Sequence, residues 1–316
     1  MFRDKKIAVV IPAYNEERLI AKTIETLPDF VDKIIVVDDK SKDKTAEIVE
    51  RIVNGDERVI LLKHEKNRGN GTARATGFKK CLELDIDIVV TLDGDNQMDP
   101  DDMAALLDPI VDGRADFTKG NRLVTGEAWK KIPHIRYLGN SALTFMTKIA
   151  SGYWQVTDSQ CGYTAATIKV YKTIPLDKIY SDYGVFNDLL VTLNIFNFRV
   201  MDVPVAPIYG IGEKSGMKLR KVLFYMPFLM LKLFIRRMVQ KYIIRDFHPL
   251  IFFYAFGGFL FLLDIPLIVR LLYYWIITTH IPKINALAIL FCTFMGMQSI
   301  LFAMLFDMEA NRELKG

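Results

Sequence analysis

The first half of the chain alternates short apolar runs with longer segments of helical periodicity. The apolar runs predict five strands, at residues 7–11, 33–37, 59–62, 88–92 and 117–120. The segments between and after them predict helices at 16–27, 44–53, 72–84, 101–111 and 137–150. This alternation is typical of an α/β domain, in which helices cover both faces of a mostly parallel sheet. Ligands of such sheets bind beyond the carboxyl ends of the strands.

An acidic pair, Asp93 and Asp95, follows the fourth apolar run, and Gly94 between them allows a sharp turn. In extended chain, residues i and i+2 point to the same side, so both carboxylates can face one point. Adjacent like charges repel each other unless a cation lies between them. With the neutral oxygen of Gln97, this ligand set suits Mg²⁺ or Mn²⁺ and leaves positions for a substrate's phosphates. A solvated acidic turn is the alternative for an isolated Asp-x-Asp motif.

Polar residues also follow other predicted strands. Asn15 comes after the first strand, and Asp38 and Asp39 come after the second. Such acidic residues can accept hydrogen bonds from ribose hydroxyls or base N–H groups. The segment 67–72, Asn-Arg-Gly-Asn-Gly-Thr, precedes a predicted helix. Its backbone N–H groups could bind an anion there, and helix capping is the alternative role for its polar side chains.

Taken together, these motifs resemble the family 2 glycosyltransferases of GT-A fold, and especially the polyprenyl-phosphate sugar transferases of the dolichyl-phosphate mannose synthase type. The resemblance covers residues 6–218. It is carried by Ile-Pro-Ala-Tyr-Asn-Glu at 11–16, Val-Asp-Asp at 37–39, Asp-Gly-Asp-Asn-Gln at 93–97, Gly-Asn-Arg at 120–122 and Asp-Ser-Gln-Cys-Gly-Tyr at 158–163. It implies a GT-A domain, built on a Rossmann-like, mostly parallel sheet, that acts as a glycosyltransferase.

The resemblance also implies roles for individual residues. The nucleotide-sugar would contact Pro12, Tyr14, Glu16, Val37, Asp39, Asp93 and Gly94. The metal, Mg²⁺ or Mn²⁺, would be held by Asp93, Asp95 and Gln97. The acceptor's phosphate would contact Arg122, Arg136, Asn140 and Lys218. Catalysis would depend on Asp95 and Asp158.

Two of these assignments have alternatives. Asp158 would face the sugar from the acceptor loop and orient a hydroxyl or act as a weak base, whereas a turn-forming aspartate is the alternative. Relatives often carry an arginine six residues before the position matched to Lys218, and this chain has Gly212 there. Lys214 or Arg220 would then have to supply that charge.

The expected reaction is inverting, metal-dependent transfer of a hexose from a GDP- or UDP-sugar to a polyprenyl (dolichyl) phosphate. A phosphate nucleophile is already anionic, which agrees with the lack of a His or Cys nucleophile in these motifs. One alternative keeps the donor but uses a glycan or lipid-linked oligosaccharide as acceptor. Others are nucleotidyl transfer and a membrane-anchored nucleotide-sugar-binding protein without turnover. We expect no nucleic acid partner.

Apolar residues make up 51% of the chain, whose mean hydropathy is +0.18, and they are concentrated toward the C-terminus. Residues 222–241 mix apolar with basic side chains and predict an amphipathic helix in a membrane interface. Residues 250–277 and 284–306 are each long and apolar enough to span a bilayer. Asp264 and Arg270 lie inside the first span, where charges are costly and either pair or face a protein interior.

The predicted organisation is a GT-A domain at 1–213, a basic juxtamembrane segment at 214–246, two transmembrane helices within 247–308 and a tail at 309–316. Basic residues concentrate before the first span, whereas the connecting loop has only Lys283. The positive-inside rule therefore predicts an integral membrane protein with its catalytic domain on the cytoplasmic face. The 3 cysteines, widely separated, indicate a reducing compartment and no disulfide framework.

Overall fold

The computed structural model describes residues 1–124, 134–182, 184–206, 208 and 225–316, without the side chains of 134–138. These residues form two compact units. One comprises Met1–Phe234 with Glu313–Gly316, and the other comprises Ile235–Arg312. The first is called the catalytic unit below and the second the hairpin unit.

The catalytic unit is built on a seven-stranded sheet with strand order β3-β2-β1-β4-β6-β5-β7. The strands are β1 Ile7–Ala13, β2 Lys33–Asp38, β3 Val59–Lys63, β4 Ile88–Thr91, β5 Phe117–Asn121, β6 Thr164–Thr167 and β7 Val200–Pro204. Strands β1 to β4 pair in parallel, as do β5 and β7, whereas β6 runs antiparallel to both β4 and β5. The predicted mostly parallel α/β sheet is confirmed.

Two strands were not predicted from the sequence. Strand β6 is only four residues, Thr-Ala-Ala-Thr, and lacks the large apolar side chains that predict a buried strand. Strand β7 lies at the edge of the sheet and ends at Pro204, and proline is found in sheets mainly at such edges.

Helices cover both faces of this sheet. In the catalytic unit they are α1 Ile20–Glu25, α2 Thr45–Val53, α3 Asn70–Glu83, α4 Met103–Val111, α5 His134–Ser151, α6 Ile168–Thr173 and α7 Val185–Ile195. Short 3₁₀ turns occupy Pro100–Asp102 and Leu176–Lys178. Helix α1 begins later than the predicted residue 16, because the Glu16 N–H donates to Thr45 Oγ1 and residues 16–19 form a turn.

The core lies on the two faces of the sheet. Along β1, Ile7, Val9 and Ile11 pack into one apolar cluster, and Ala8 and Val10 pack into another. This is the period-2 alternation of a strand covered on both faces. Each fully buried aliphatic side chain stabilises the fold by about 1.5–3 kcal/mol relative to an exposed one. The rigid sheet positions the loops at its carboxyl edge.

The hairpin unit contains two long apolar helices, α9 Leu250–Thr278 and α10 Lys283–Ala310. They are long and apolar enough to cross a membrane. Both helices begin within one residue of the predicted spans, 250–277 and 284–306, and extend beyond them at the C-terminal end, to Thr278 and Ala310. Helix α8, Met226–Val239, precedes them and runs into a π-helical turn, Gln240–Arg245.

The two charged residues inside α9 have different surroundings: Asp264 contacts the other helix of the hairpin, whereas Arg270 is exposed and contacts a residue of its own helix. Asp264 is 4% exposed, and its Oδ2 accepts a hydrogen bond of 2.8 Å from the hydroxyl of Thr293. The Arg270 guanidinium lies over the ring of Tyr274, 5.8 Å from its centroid. Asp264 therefore faces a protein interior, which is one of the two arrangements predicted for a charge in this span.

Candidate functional site

A cavity of about 550 Å³ opens at the carboxyl edge of the sheet, where β1, β2, β4 and β5 end. It brings together most of the residues for which the sequence predicted a role. Those lining it are Pro12, Tyr14, Glu16, Asp39, Asp93, Gly94, Asp95, Gln97, Arg122 and Asn140. Residues that are distant in the chain thus form one site.

Among the described residues, two predicted site residues do not line the cavity, and two more have side chains outside the described part of the chain. Val37 is fully buried in β2, where it is paired with Pro12. Asp158 is also fully buried. Lys218 and the neighbouring positions Gly212, Lys214 and Arg220 lie outside the described residues. Arg136 lies in α5, but its side chain is outside the described part of the chain.

Two loops beside the cavity are held together by side chain–backbone hydrogen bonds. Asn15, which has a positive φ of 59°, accepts from the Lys42 N–H at 2.8 Å, and its own N–H donates to the Ser41 hydroxyl. The Glu16 N–H donates to Thr45 Oγ1 at 2.8 Å. The loop after β1 is therefore fixed to the loop after β2, which positions Tyr14 and Glu16 at the cavity.

Three carboxyl groups concentrate negative charge at the cavity. Burial, with repulsion from Asp95 and Asp93, raises the pKa of Glu16 to about 7. Burial, with repulsion from Asp93, raises the pKa of Asp95 to about 6. A divalent cation would remove both penalties, since an adjacent positive charge favours the ionised carboxylates.

The other donors also suit a hard cation. The side-chain nitrogen of Gln97 is buried and has no hydrogen-bond partner among the described residues. Since a half-turn of the carboxamide exchanges nitrogen and oxygen, its oxygen can face the carboxylates. No three His, Cys, Asp or Glu side chains in the described ranges form a complete ligand set. A metal here would therefore need further ligands, which substrate phosphates supply in Mg²⁺ sites.

Arg74 was not identified from the sequence, although it contacts the first residue of the acidic pair. It is 3% exposed in α3 and forms an ion pair with Asp93. Its Nε donates to Asn70 Oδ1 at 2.6 Å, and the guanidinium lies over the ring of Phe186. A Cβ at Gly162 would lie 2.5 Å from Asp93 Oδ2, so any larger residue there would have to displace this pair. A lone arginine in a predicted helix has no local signal for such a contact.

Arg122 and Asp158 form a second buried ion pair. Arg122 donates its Nε and Nη2 to the two carboxylate oxygens at 2.7 and 2.9 Å, and its backbone N–H also donates to Oδ2. Burial alone would raise the pKa of Asp158, but the Arg122 guanidinium outweighs it and holds that pKa below its usual value. Arg122 is 15% exposed and lines the cavity. Asp158 is fully buried, does not line the cavity, and fixes the Arg122 guanidinium through these hydrogen bonds.

The glycine-rich segment at 67–72 is used differently from the predicted anion site. The N–H groups of Arg68 and Gly69 donate to Asp39, and that of Gly71 donates to the Ser181 carbonyl. Gly69 has a φ of 87°. These three N–H groups bind the protein itself, so the prediction of an anion-binding turn is wrong for them. The glycines are needed because a Cβ at either position would collide with the backbone at 180–181.

A mostly parallel sheet of this kind, with an acidic pair just after β4, is typical of glycosyltransferases of GT-A fold. The model of the family described as "Glycosyl transferase family 2" matches residues 8–175, and the chain belongs to that family. The predicted family and the prediction of a glycosyltransferase are therefore confirmed.

Three similar proteins illustrate the match. The UDP-N-acetylglucosamine–dolichyl-phosphate N-acetylglucosaminyltransferase of Methanococcus voltae is 35% identical over 219 residues, covering 65% of this chain and 87% of that protein. The undecaprenyl-phosphate mannosyltransferase of Micrococcus luteus is 30% identical, covering 67% of this chain and 88% of that one. Glucosyl-3-phosphoglycerate synthase from Mycobacterium tuberculosis, solved with Mn²⁺ and UDP, has a TM-score of 0.55 at 21% identity, covering 74% and 80% of the two chains. This last likeness shows the GT-A fold alone.

Proposed function

We propose that this protein transfers a hexose from a nucleoside-diphosphate sugar to the phosphate of a polyprenyl (dolichyl) lipid, with inversion at the sugar carbon. One observation carries the proposal: a single cavity is lined both by the acidic pair and by Arg122 and Asn140. The first group suits a metal-bound diphosphate, and the second suits an anionic acceptor. The relatives from Methanococcus voltae and Micrococcus luteus act on lipid phosphates, which supports this choice of acceptor.

The chemistry requires negative charge to leave with the nucleoside diphosphate. Asp93, Asp95 and Gln97 would hold Mg²⁺ or Mn²⁺, which when bound stabilises the charge on the departing diphosphate. Arg74 holds Asp93 in place. The lipid phosphate is already anionic, so it needs orientation by Arg122 and Asn140 more than a strong base. Asp158, paired with Arg122, acts as a positioning residue in this scheme.

Helix α8 supports access to a lipid acceptor. Its residues Met226, Leu229 and Leu233 pack into the catalytic unit. Its other side exposes an apolar stripe consisting of Phe228 (70% exposed), Leu231 (54%), Ile235 (52%) and Val239 (38%). Of the basic residues in the predicted amphipathic segment, Lys232 on this helix is exposed, whereas Arg237 is fully buried. An exposed apolar stripe is suited to the acyl boundary of a bilayer.

We further propose that α9 and α10 anchor the protein as a transmembrane hairpin with the catalytic unit on the cytoplasmic face. The loop between them includes Thr279, which has a φ of 55°, and a single basic residue, Lys283, follows it. A topology reporter fused at Thr279 should be active on the non-cytoplasmic side. Cytoplasmic activity there contradicts the orientation.

A direct assay tests the proposed function. Purified protein is incubated with Mn²⁺, a radiolabelled nucleotide-sugar and polyprenyl phosphate, and we expect label to enter the organic phase and nucleoside diphosphate to be released. In a parallel incubation with a glycan in place of polyprenyl phosphate, label transferred only to the glycan would favour the alternative acceptor. Release of pyrophosphate would indicate nucleotidyl transfer. The variant Asp95→Ala should lose turnover. Binding without turnover in the wild type would indicate a nucleotide-sugar-binding protein.

A further inference from the structure

Asp39 is a nearly saturated hydrogen-bond acceptor at the wall of the cavity. It follows β2, lines the cavity and is 3% exposed. Its Oδ1 accepts from His64 Nδ1 at 2.6 Å and from the Arg68 N–H at 2.8 Å. Its Oδ2 accepts from the Gly69 N–H at 2.7 Å. All three donors belong to the protein.

The number of acceptor positions limits what a ligand can do here. A carboxylate has about four lone-pair positions, two on each oxygen. The contacts above occupy both positions on Oδ1 and one on Oδ2. Asp39 can therefore accept one more hydrogen bond, through Oδ2, and it cannot bind two neighbouring donors with both oxygens.

His64 fixes this arrangement. Its side chain is 7% exposed, and its Nδ1 must be the donor because the carboxylate only accepts. Its Nε2 lies 3.0 Å from Thr76 Oγ1 on α3. The His64 backbone N–H donates to the Asp38 carbonyl, which extends the pairing of β2 with β3. The imidazole is thus held from two sides while it occupies Oδ1.

We propose that His64 is a positioning residue that makes Asp39 selective for a donor base with a single ring N–H, so that the protein uses a uridine nucleotide in preference to a guanosine nucleotide. This inference rests on the proposed function for the location of the nucleotide. Uracil presents one N–H between two carbonyls. Guanine presents two adjacent donors, N1–H and the 2-amino group, which a carboxylate binds with both of its oxygens.

With Oδ1 occupied, guanine would leave one donor unpaired in a buried place. An unpaired buried donor weakens binding by about tenfold or more. Removing the imidazole donor would return one lone pair to Oδ1. The penalty on guanine would then fall, while uracil would gain nothing from the freed position.

Calorimetry on the full-length protein in detergent tests this, with Mn²⁺ and either UDP or GDP. We expect wild type to bind UDP about tenfold more tightly than GDP, and His64→Leu to reduce that ratio severalfold. His64→Asn retains an N–H near the position of Nδ1 and should keep the ratio. The matched control His280→Leu replaces an exposed loop histidine and should also leave the ratio unchanged.

Equal affinities of wild type for UDP and GDP, or tighter binding of GDP, would overturn the proposal. So would an equal loss of both affinities in His64→Leu, which is the signature of a purely structural role. If His64→Leu does not fold, the proposal is tested by the ratio of UDP to GDP affinity in the wild type and in His64→Asn. The outcome is separable from the proposed function, because UDP selectivity without sugar transfer to polyprenyl phosphate refutes only the acceptor. A protein that binds neither nucleotide refutes both.

Discussion

The two units each contain a buried arginine–aspartate pair, and the pairs differ in what surrounds them. In the catalytic unit, Asp158 is fully buried but Arg122 is 15% exposed and lines the cavity. In the hairpin unit, Arg237 and Asp307 are both fully buried, joined by hydrogen bonds of 2.7 and 2.9 Å. One pair presents its cation to a site, and the other is enclosed by protein.

The enclosed pair is part of a larger polar network. Asp307 Oδ1 also accepts from the Tyr242 hydroxyl at 2.7 Å and from Asn311 at 3.0 Å, and Lys241 donates to Asn311. Burial, with repulsion from Arg237, lowers the pKa of Lys241 to about 7. Buried charges of this kind are tolerated only where their partners are in place. The comparison teaches that the same chemical pair can hold a structure together or position a charge at a site.

The largest expected effect comes from breaking the enclosed pair. Asp307→Ala leaves the Arg237 guanidinium buried without its carboxylate, and we expect a loss of about 3–5 kcal/mol of stability. The unfolding temperature of the purified protein in detergent measures it. The double variant with Arg237→Met and Asp307→Leu removes both charges and should recover most of the loss. An unchanged unfolding temperature in Asp307→Ala would contradict the role assigned to this pair.

A milder change at the cavity pair should affect activity rather than stability. Arg122→Lys keeps a positive charge beside Asp158 but loses the planar two-point contact, so we expect kcat/KM for the lipid phosphate to fall about tenfold to a hundredfold. The unfolding temperature should stay close to wild type. The control is Arg199→Lys, because Arg199 makes a similar pair with Asp116 away from the cavity. If both variants lose activity equally, the cavity pair has no special role.

The acidic cluster should make metal binding depend on pH. Without metal, ionisation of Glu16 in the folded protein is penalised, so stability falls as pH rises from its usual pKa of 4.5 through about 7. Bound Mn²⁺ reverses this trend, because the cation favours the ionised forms of its ligand Asp95 and of the neighbouring Glu16. We expect the Kd for Mn²⁺ to rise about tenfold between pH 7 and pH 6. Calorimetry measures it, and a Kd that is constant over this range would contradict the cluster's role.

The smallest effect is expected at the apolar stripe of α8. Phe228→Ser removes one exposed ring, whereas the proposed anchors α9 and α10 stay intact. We therefore expect the KM for the lipid acceptor to rise by about two- to fivefold. A change of this size corresponds to a fraction of the free energy of burying one large apolar side chain. The KM for the nucleotide-sugar should not change. Assays in bilayer nanodiscs at varied lipid-phosphate content measure both constants. A shift in the nucleotide-sugar KM instead would mean that Phe228 acts through the fold.

Much of the fold was predictable because its signals are local. Strands β1 to β5 and helices α2 to α4 follow from apolar runs and helical periodicity, and the two long apolar helices follow from length and composition. The strands that were missed lack such a signal, as in the four small residues of β6. The delayed start of α1 depends on Thr45, which lies in another loop.

The sequence by itself determined which polar residues gather at the carboxyl edge of the sheet, because parallel strands end on the same side wherever their register lies. Only the tertiary structure decided the partners of those residues: His64 for Asp39, Arg74 for Asp93 and Arg122 for Asp158. The physical reason is that hydrogen bonds and ion pairs act over a few ångströms. Residues 25, 19 and 36 positions apart come that close only after the chain has folded.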